Sequence, residues 1–334
     1  ALKLSRQIME SLKNTYSIER HHLYISSSIG VSLIDASIQN ANHFIKEADI
    51  AMYEVKEKGR DDVFLFDDEM SARVERHLEI ERMLHFAIKN NEISLNFQPM
   101  LDQHDRVIGA EALVRWHNEK MGNIPPDQFI PIAEQTGLII ELGNHIIETA
   151  FKTYSAWHQQ GINLRKLAIN ISMRQFLHQS FIPEVTRLAE QHLSEDQRHN
   201  ITFEITETLV AENINKAIEV MHELKALGIR FSMDDFGTGY SSLSYLKQLP
   251  VDEIKIDRSF VNEVDQFEGD QAMVITILRM AKTFGLTVVA EGVETEDQLE
   301  FLQAHNCDCY QGYYFSRPLP GTDFIQYFQA KSQI

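Results

Sequence analysis

The chain has 334 residues, 43% of them hydrophobic, enough for a large core and, by length, about two domains. Its formal net charge of −18 argues against binding long nucleic acids, which needs a basic face, but leaves room for a small anionic nucleotide if divalent cations reverse the local sign. No uninterrupted apolar stretch approaches the ~20 residues that span a bilayer and no signal peptide is visible, so this segment is expected to be cytoplasmic without membrane contact, whatever anchor a longer protein carries elsewhere.

Residues 1–67 read as helix, strand, helix, strand. Leu2, Ile8, Met9 and Leu12 give a helical face, and Leu23 to Val31 a strand. Phe44, Ala48, Ala51, Tyr53 and Val55 give a second helix stopped at Lys58-Gly59, and Val63 to Phe66 a closing strand. This is too little for an independent α/β domain, because a sheet needs cover on both faces. Residues 68–91 follow as a charged amphipathic helix with Met70, Val74, Leu78, Met83, Leu84 and Ala87 apolar, read as a linker helix or a signalling helix.

From residue 92 to 334, strands and helices alternate. Strands are predicted over Ser94–Met100, Val107–Val114, Lys166–Ile171, Ile201–Ile205, Ile229–Met233, Glu253–Ile256, Thr287–Ala290 and Gly312–Phe315. The turn Asp102–Arg106 is too short for a parallel crossover, so the first two strands form an antiparallel hairpin. The fold class is therefore α/β: a TIM-like (β/α)8 barrel with a reversed first strand, preceded by an N-terminal α/β fragment.

Six of the apolar runs end on or contain a polar residue: Glu111, Asn170, Glu204, the pair Asp234-Asp235, Lys255 and Glu291. Polar groups near the C-terminal ends of parallel strands describe a site at the barrel mouth. Glu, Asn and Asp are hard oxygen donors suited to Mg2+ or Mn2+. Adjacent aspartates allow Asp234 to bridge two ions while Asp235 holds one, the arrangement that generates a hydroxide for phosphoester cleavage. Lys255 offers a point charge for a water or for developing negative charge, and Arg115 can reach a phosphate oxygen. Plainer readings stay open for each residue alone: a solvated strand-end Glu, a turn at Asp234-Asp235-Phe236-Gly237, a cap at Asn170. Their joint occurrence favours a site. The histidines are scattered and outside the pattern. Cys307 and Cys309 are too close for an ordinary disulfide and complete no zinc site, so two free thiols are expected.

Glu111-Ala112-Leu113-Val114-Arg115-Trp116 resembles the signature of the EAL-domain cyclic-di-GMP phosphodiesterases. The resemblance continues through Asn170-Ile171-Ser172, Glu204-Ile205-Thr206-Glu207, Asp234 to Leu243, Lys255 to Phe260, Glu291 to Thr295 and Gln311-Gly312-Tyr313, about residues 78–330 in all, without departure at the metal or lysine positions. Ser28–Val31 and Ala48–Arg60 resemble the last part of a GGDEF diguanylate cyclase domain, without the motif that names it. That piece is expected to make no cyclic di-GMP by itself.

The resemblance implies hydrolysis of cyclic di-GMP to linear 5′-pGpG with two ions, Mg2+ or Mn2+, and inhibition by Ca2+. It implies that Glu111, Asn170, Glu204 and Asp234 hold one ion and that Asp234, Asp235 and Glu291 hold the other. Lys255 then positions the attacking water, with Glu291 as a candidate general base. Gln98, Leu113, Arg115, Asn170, Asp234, Lys255 and Gln311 are the implied substrate contacts. Glu207 is implied to anchor the loop Phe236–Ser242, and a homodimer is implied through the segment Ser242–Gln248. A non-hydrolytic cyclic-di-GMP receptor is the alternative, disfavoured because such receptors usually lack one of these residues.

Overall fold

The alternation of apolar and polar residues is realised differently in two units, Ala1–Met83 and Leu84–Ile334. A computed structural model describes residues 1–19, 21–34, 40–207, 213–238 and 246–332 of them. The first unit contains α1 (Leu2–Leu12), β1 (Tyr16–Ile18), β2 (His21–Leu23), β3 (Ile29–Val31), α2 (Ala41–Glu57), β4 (Val63–Leu65) and the start of α3 (Asp68–Ala87). β3 and β4 pair in parallel. A Cβ on Gly30 would stand 1.9 Å from the carbonyl oxygen of Ala48, so only glycine lets α2 lie this close to β3.

The single strand predicted from Leu23 to Val31 is two strands. β2 pairs antiparallel with β1, whereas β3 pairs with β4. One strand cannot serve both partners, and the chain changes sheet after the exposed residues Tyr24 to Ser26. α3 ends at Ala87, short of the predicted residue 91. Asn91 adopts a left-handed φ of 57°, and Glu92 N–H closes the helix end on Ala87 O at 2.9 Å.

The second unit is a closed barrel. Its staves are β5 (Ile93–Asp102), β6 (Val107–Asn118), β8 (Lys166–Asn170), β9 (Ile201–Thr206), β10 (Arg230–Phe236), β11 (Glu253–Ile256), β12 (Thr287–Ala290) and β13 (Cys309–Tyr310). β7 (Gly122–Ile124) extends β6, and β14 (Leu319–Pro320) borders β5. The outer helices include α4 (Pro126–Thr136), α5 (Ile139–Gln159), α6 (Met173–Phe176), α7 (Phe181–His192), α8 (Glu195–Arg198), α9 (Ile214–Ala226), α10 (Arg258–Val261), α11 (Glu268–Phe284), α12 (Glu296–Ala304) and α13 (Gly321–Ser332).

β5 and β6 form the expected antiparallel hairpin, with Gln98 opposite Glu111. Asp102 fixes its turn by accepting from the backbone N–H groups of His104 and Arg106. β6, β8, β9, β10, β11, β12 and β13 run parallel, and β13 closes on β5 antiparallel. Two expectations are corrected. The last stave is Cys309–Tyr310, not Gly312–Phe315, because Phe315 and Ser316 N–H both bond Gly312 O and curl that segment into a turn. β6 also runs on to Asn118, past the predicted end at Val114, with Glu111 inside it. β6 leaves β8 after Ala112 and runs on against β5 and β7.

Helices seal the barrel with aromatic side chains. Phe324 of α13 is fully buried, stacked on Trp157 with ring centroids 4.9 Å apart and packed on Phe97 at 6.1 Å. Phe324→Ala is expected to lower stability by about 3–5 kcal/mol, since the cavity opens where strand and helices cannot collapse together. Urea unfolding followed by tryptophan fluorescence checks this.

Candidate active site

Side chains two apart on a strand share a face, so the inward positions of the barrel form layers. The uppermost polar layer is built around Lys255, whose side chain is 1% exposed. Its Nζ lies 2.7 Å from Glu291 Oε1, 2.8 Å from Glu204 Oε2, 3.2 Å from Asp234 Oδ1 and 3.6 Å from Glu111 Oε2. Four of the carboxylates expected at the barrel mouth therefore converge on this lysine. Asn170 donates to Glu111 Oε1 at 2.6 Å, which leaves its own carbonyl oxygen available. Gln311 donates to Glu111 Oε2 at 2.6 Å and to Gln98 Oε1 at 3.1 Å, and Gln98 donates to Ser316 O at 3.2 Å.

Adjacent residues of a regular strand face opposite sides, yet Asp234 and Asp235 both reach the site. The β10–β11 register shifts between Met233 and Phe236, and Asp235 has a left-handed φ of 53°. That conformation is uncommon outside glycine but tolerated by aspartate. Carboxylate oxygens of Asp234, Asp235 and Glu291 come within 4.8 Å of one another, a grouping able to hold a cation.

The electrostatics follow from burial and charge crowding. Burial opposes the charge of Lys255, but Asp234, Glu111, Glu204 and Glu291 outweigh it and hold the ammonium well above its usual range. Burial also opposes ionisation of Glu111, where Lys255 and the amide donors of Gln311 and Asn170 win and keep the carboxyl low. Burial and the Glu111 charge push Glu204 well above the carboxylate range. Burial lifts Glu291 to about 8, against Lys255 and with Asp234 and Glu111. Burial and Asp234 raise Asp235. Glu204 Oε1 is buried with no hydrogen-bond partner. An all-oxygen set, short of positive charge and with an orphaned carboxylate oxygen, fits Mg2+ or Mn2+.

Beside this layer lies a cleft of about 190 Å³ lined by Gln98, Glu111, Leu113, Glu291 and Gln311 together with Arg258 and Tyr313. Arg115 is half-buried and donates to its own neighbour Val114 O at 2.8 Å. Glu207 follows β9 directly and is half-buried. Of the loop it was expected to anchor, residues 239–242 lie outside the described residues, as does most of the expected dimer segment 242–248. Arg258, the first residue of α10, and Tyr313, in a turn, were given no role from the sequence, because they lie off the strands, where strand periodicity gives no signal. A larger cavity of about 530 Å³, lined by Arg279, Lys282, His305 and Asp308, opens where β12 begins, at the end of the strands away from the charged layer. Cys307 and Cys309 are free thiols.

Comparison with known proteins matches this geometry to a family. The model of the EAL domain matches residues 81–318, and that of the diguanylate cyclase GGDEF domain matches residues 1–62. The chain is 36% identical over 326 residues to the bifunctional diguanylate cyclase/cyclic di-GMP phosphodiesterase MucR of Pseudomonas aeruginosa, covering 97% of this chain and 47% of that protein. It is 34% identical to the cyclic di-GMP phosphodiesterase PdeR of Escherichia coli, covering 98% of this chain and 49% of that protein. The chain thus spans about half the length of these relatives. A solved structure of the PaMucR phosphodiesterase in complex with c-di-GMP aligns with a TM-score of 0.71 at 37% identity, covering 74% of this chain and 99% of that one. The chain belongs to the EAL-domain family, with a partial GGDEF match at its N-terminus.

Lys255 is the counter-charge of the whole layer. Lys255→Met is expected to destabilise the protein by about 3–5 kcal/mol in the absence of divalent ions, the cost of leaving buried carboxylates unpaired. Chemical denaturation in chelator measures it, and an unchanged midpoint would refute the role.

Proposed function

We propose that this member of the EAL family hydrolyses cyclic di-GMP to linear 5′-pGpG, in the cytoplasm, using two divalent ions. The observation that supports the reading most is the convergence of Glu111, Glu204, Asp234 and Glu291 on Lys255 at 2.7–3.6 Å. Names of its relatives supply the substrate.

Glu111, the Asn170 carbonyl oxygen, Glu204 and Asp234 would hold one ion, and Asp234, Asp235 and Glu291 the second. When bound, the ions supply Lewis acidity to the phosphate and lower the pKa of a water. The chain's own groups do the rest. Lys255 orients the water and offsets charge on the phosphoryl oxygens. Glu291 accepts the water's proton. The water oxygen bonds to phosphorus, the bond from phosphorus to the 3′ oxygen breaks, and that oxygen takes up a proton from solvent, so that a 5′-phosphate and a 3′-hydroxyl result. Arg115 swings from Val114 to a phosphate oxygen, while Gln98, Leu113 and Gln311 line the cleft for the nucleotide. A homodimer through 242–248, with Glu207 holding the 236–242 loop, completes the proposal on the strength of the family resemblance.

Incubation of the purified chain with cyclic di-GMP, with products separated by chromatography, tests this. Linear dinucleotide is expected with Mg2+ or Mn2+, none in excess chelator, and inhibition by Ca2+, whose looser coordination misplaces the water. Binding without product in Mg2+ or Mn2+ would favour a receptor instead.

Glu291→Ala is expected to bind cyclic di-GMP measurably while losing at least ~10²-fold in turnover, the scale of a lost acid–base contribution. Arg115→Ala should chiefly weaken binding. Calorimetry beside steady-state kinetics separates the two, and wild-type turnover in Glu291→Ala would overturn its role.

A further inference from the structure

Gln298, in the first turn of α12, is 4% exposed and makes more hydrogen bonds than a helix cap requires. Its Oε1 accepts from the backbone N–H of Glu294 at 2.8 Å and of Thr295 at 3.1 Å. Thr295 Oγ1 accepts from Gln298 N–H at 3.3 Å in return. That reciprocal pair is a capping box, and a side-chain oxygen alone completes it, so glutamate serves there as well as glutamine. The amide nitrogen makes a contact that the cap does not use. Gln298 Nε2 donates to Asn262 O at 2.9 Å, in the segment just after α10.

The two ends of this bridge matter because of what lies next to them. Glu294 and Thr295 end the loop that starts at Glu291. Asn262 follows α10, which begins directly after Lys255, Ile256 and Asp257. The same loops also approach each other without slack. A Cβ on Gly292, whose φ is +71°, would stand 2.5 Å from Arg258 Cβ. Val293 N–H bonds Gln311 O at 3.1 Å, and Tyr314 N–H bonds Val293 O at 2.9 Å.

We propose that Gln298 is a positioning residue: its buried amide braces the loop after β12 against the segment after β11, and so holds Glu291 in register with Lys255. Its kinetic consequence rests on the phosphodiesterase reading above. The brace itself does not.

Three variants separate brace from cap. Gln298→Glu keeps the oxygen that caps α12 but has no N–H for Asn262. Gln298→Met, uncharged and of similar length, removes both. Thr295→Ala weakens the cap and leaves the brace. Gln298→Glu is expected to lower kcat on the order of 10- to 100-fold, as small misplacements of reacting groups do, with KM within about 3-fold. Hydrogen exchange should quicken at both 258–262 and 291–295 in each Gln298 variant. In Thr295→Ala it should quicken only at the start of α12, with kcat within about 3-fold of wild type. Unchanged exchange at 258–262 in both Gln298 variants overturns the brace. So does an equal loss of kcat in Thr295→Ala and Gln298→Glu, which assigns the effect to the cap. Should the wild-type chain hydrolyse nothing, the functional reading fails, and the exchange measurements still decide the brace.

Discussion

A single ammonium surrounded by four carboxylates cannot be neutral, and much of the barrel's polar interior answers to that fact. At about 3 Å and an effective dielectric near 20, each opposite pair attracts by roughly 5–6 kcal/mol, while carboxylates at similar spacing repel comparably. Lys255 therefore holds Glu204, Glu291, Asp234 and Glu111 together without satisfying them. The excess negative charge must be met by protons or cations. Raised affinity for protons at Glu204 and Glu291, and the orphaned Glu204 Oε1, are the same deficit seen from two sides.

Such crowding persists only where the backbone cannot retreat. Glu111, Glu204, Asp234 and Lys255 sit on strands paired on both sides, and Asn170 closes β8 opposite Glu204. One irregularity was needed. The register shift at Met233–Phe236 and the left-handed Asp235 turn two consecutive carboxylates toward one site, at a backbone cost of order 1–3 kcal/mol that the flanking strands hold in place.

Most of this layer was legible in the sequence because strand periodicity is local. Apolar runs that end on or contain Asn170, Glu204, Lys255 or Glu291 announce both the strand and the side chain it delivers. The hairpin at Asp102–Arg106 was legible for the same reason, a turn too short for any crossover. What was not legible depends on partners far away in sequence. Cys309–Tyr310 is a stave because β12 and β5 pair with it, and two residues carry no period of their own. Leu23 to Val31 splits because its halves find different partners. β6 runs past the predicted Val114 to Asn118 because β5 and β7 pair with its far end.

The loops show the complementary division of labour. Charged groups that must resist mutual repulsion stand on strands, where neighbouring strands fix them. Tyr313, in a turn, and Arg258, the first residue of α10, line the cleft from outside the strands, where movement is cheap. Glu291 is the exception, since it follows β12 instead of lying on it, yet contacts Lys255 at 2.7 Å. Its backbone N–H bonds Ile256 O at 3.2 Å, and the residues after it are tied to Gln311, Tyr314 and, through Gln298, to Asn262. Those cross-loop bonds lend a loop carboxylate the stiffness that a strand would have given it, which is the condition for a side chain to serve both the charge layer and the cleft.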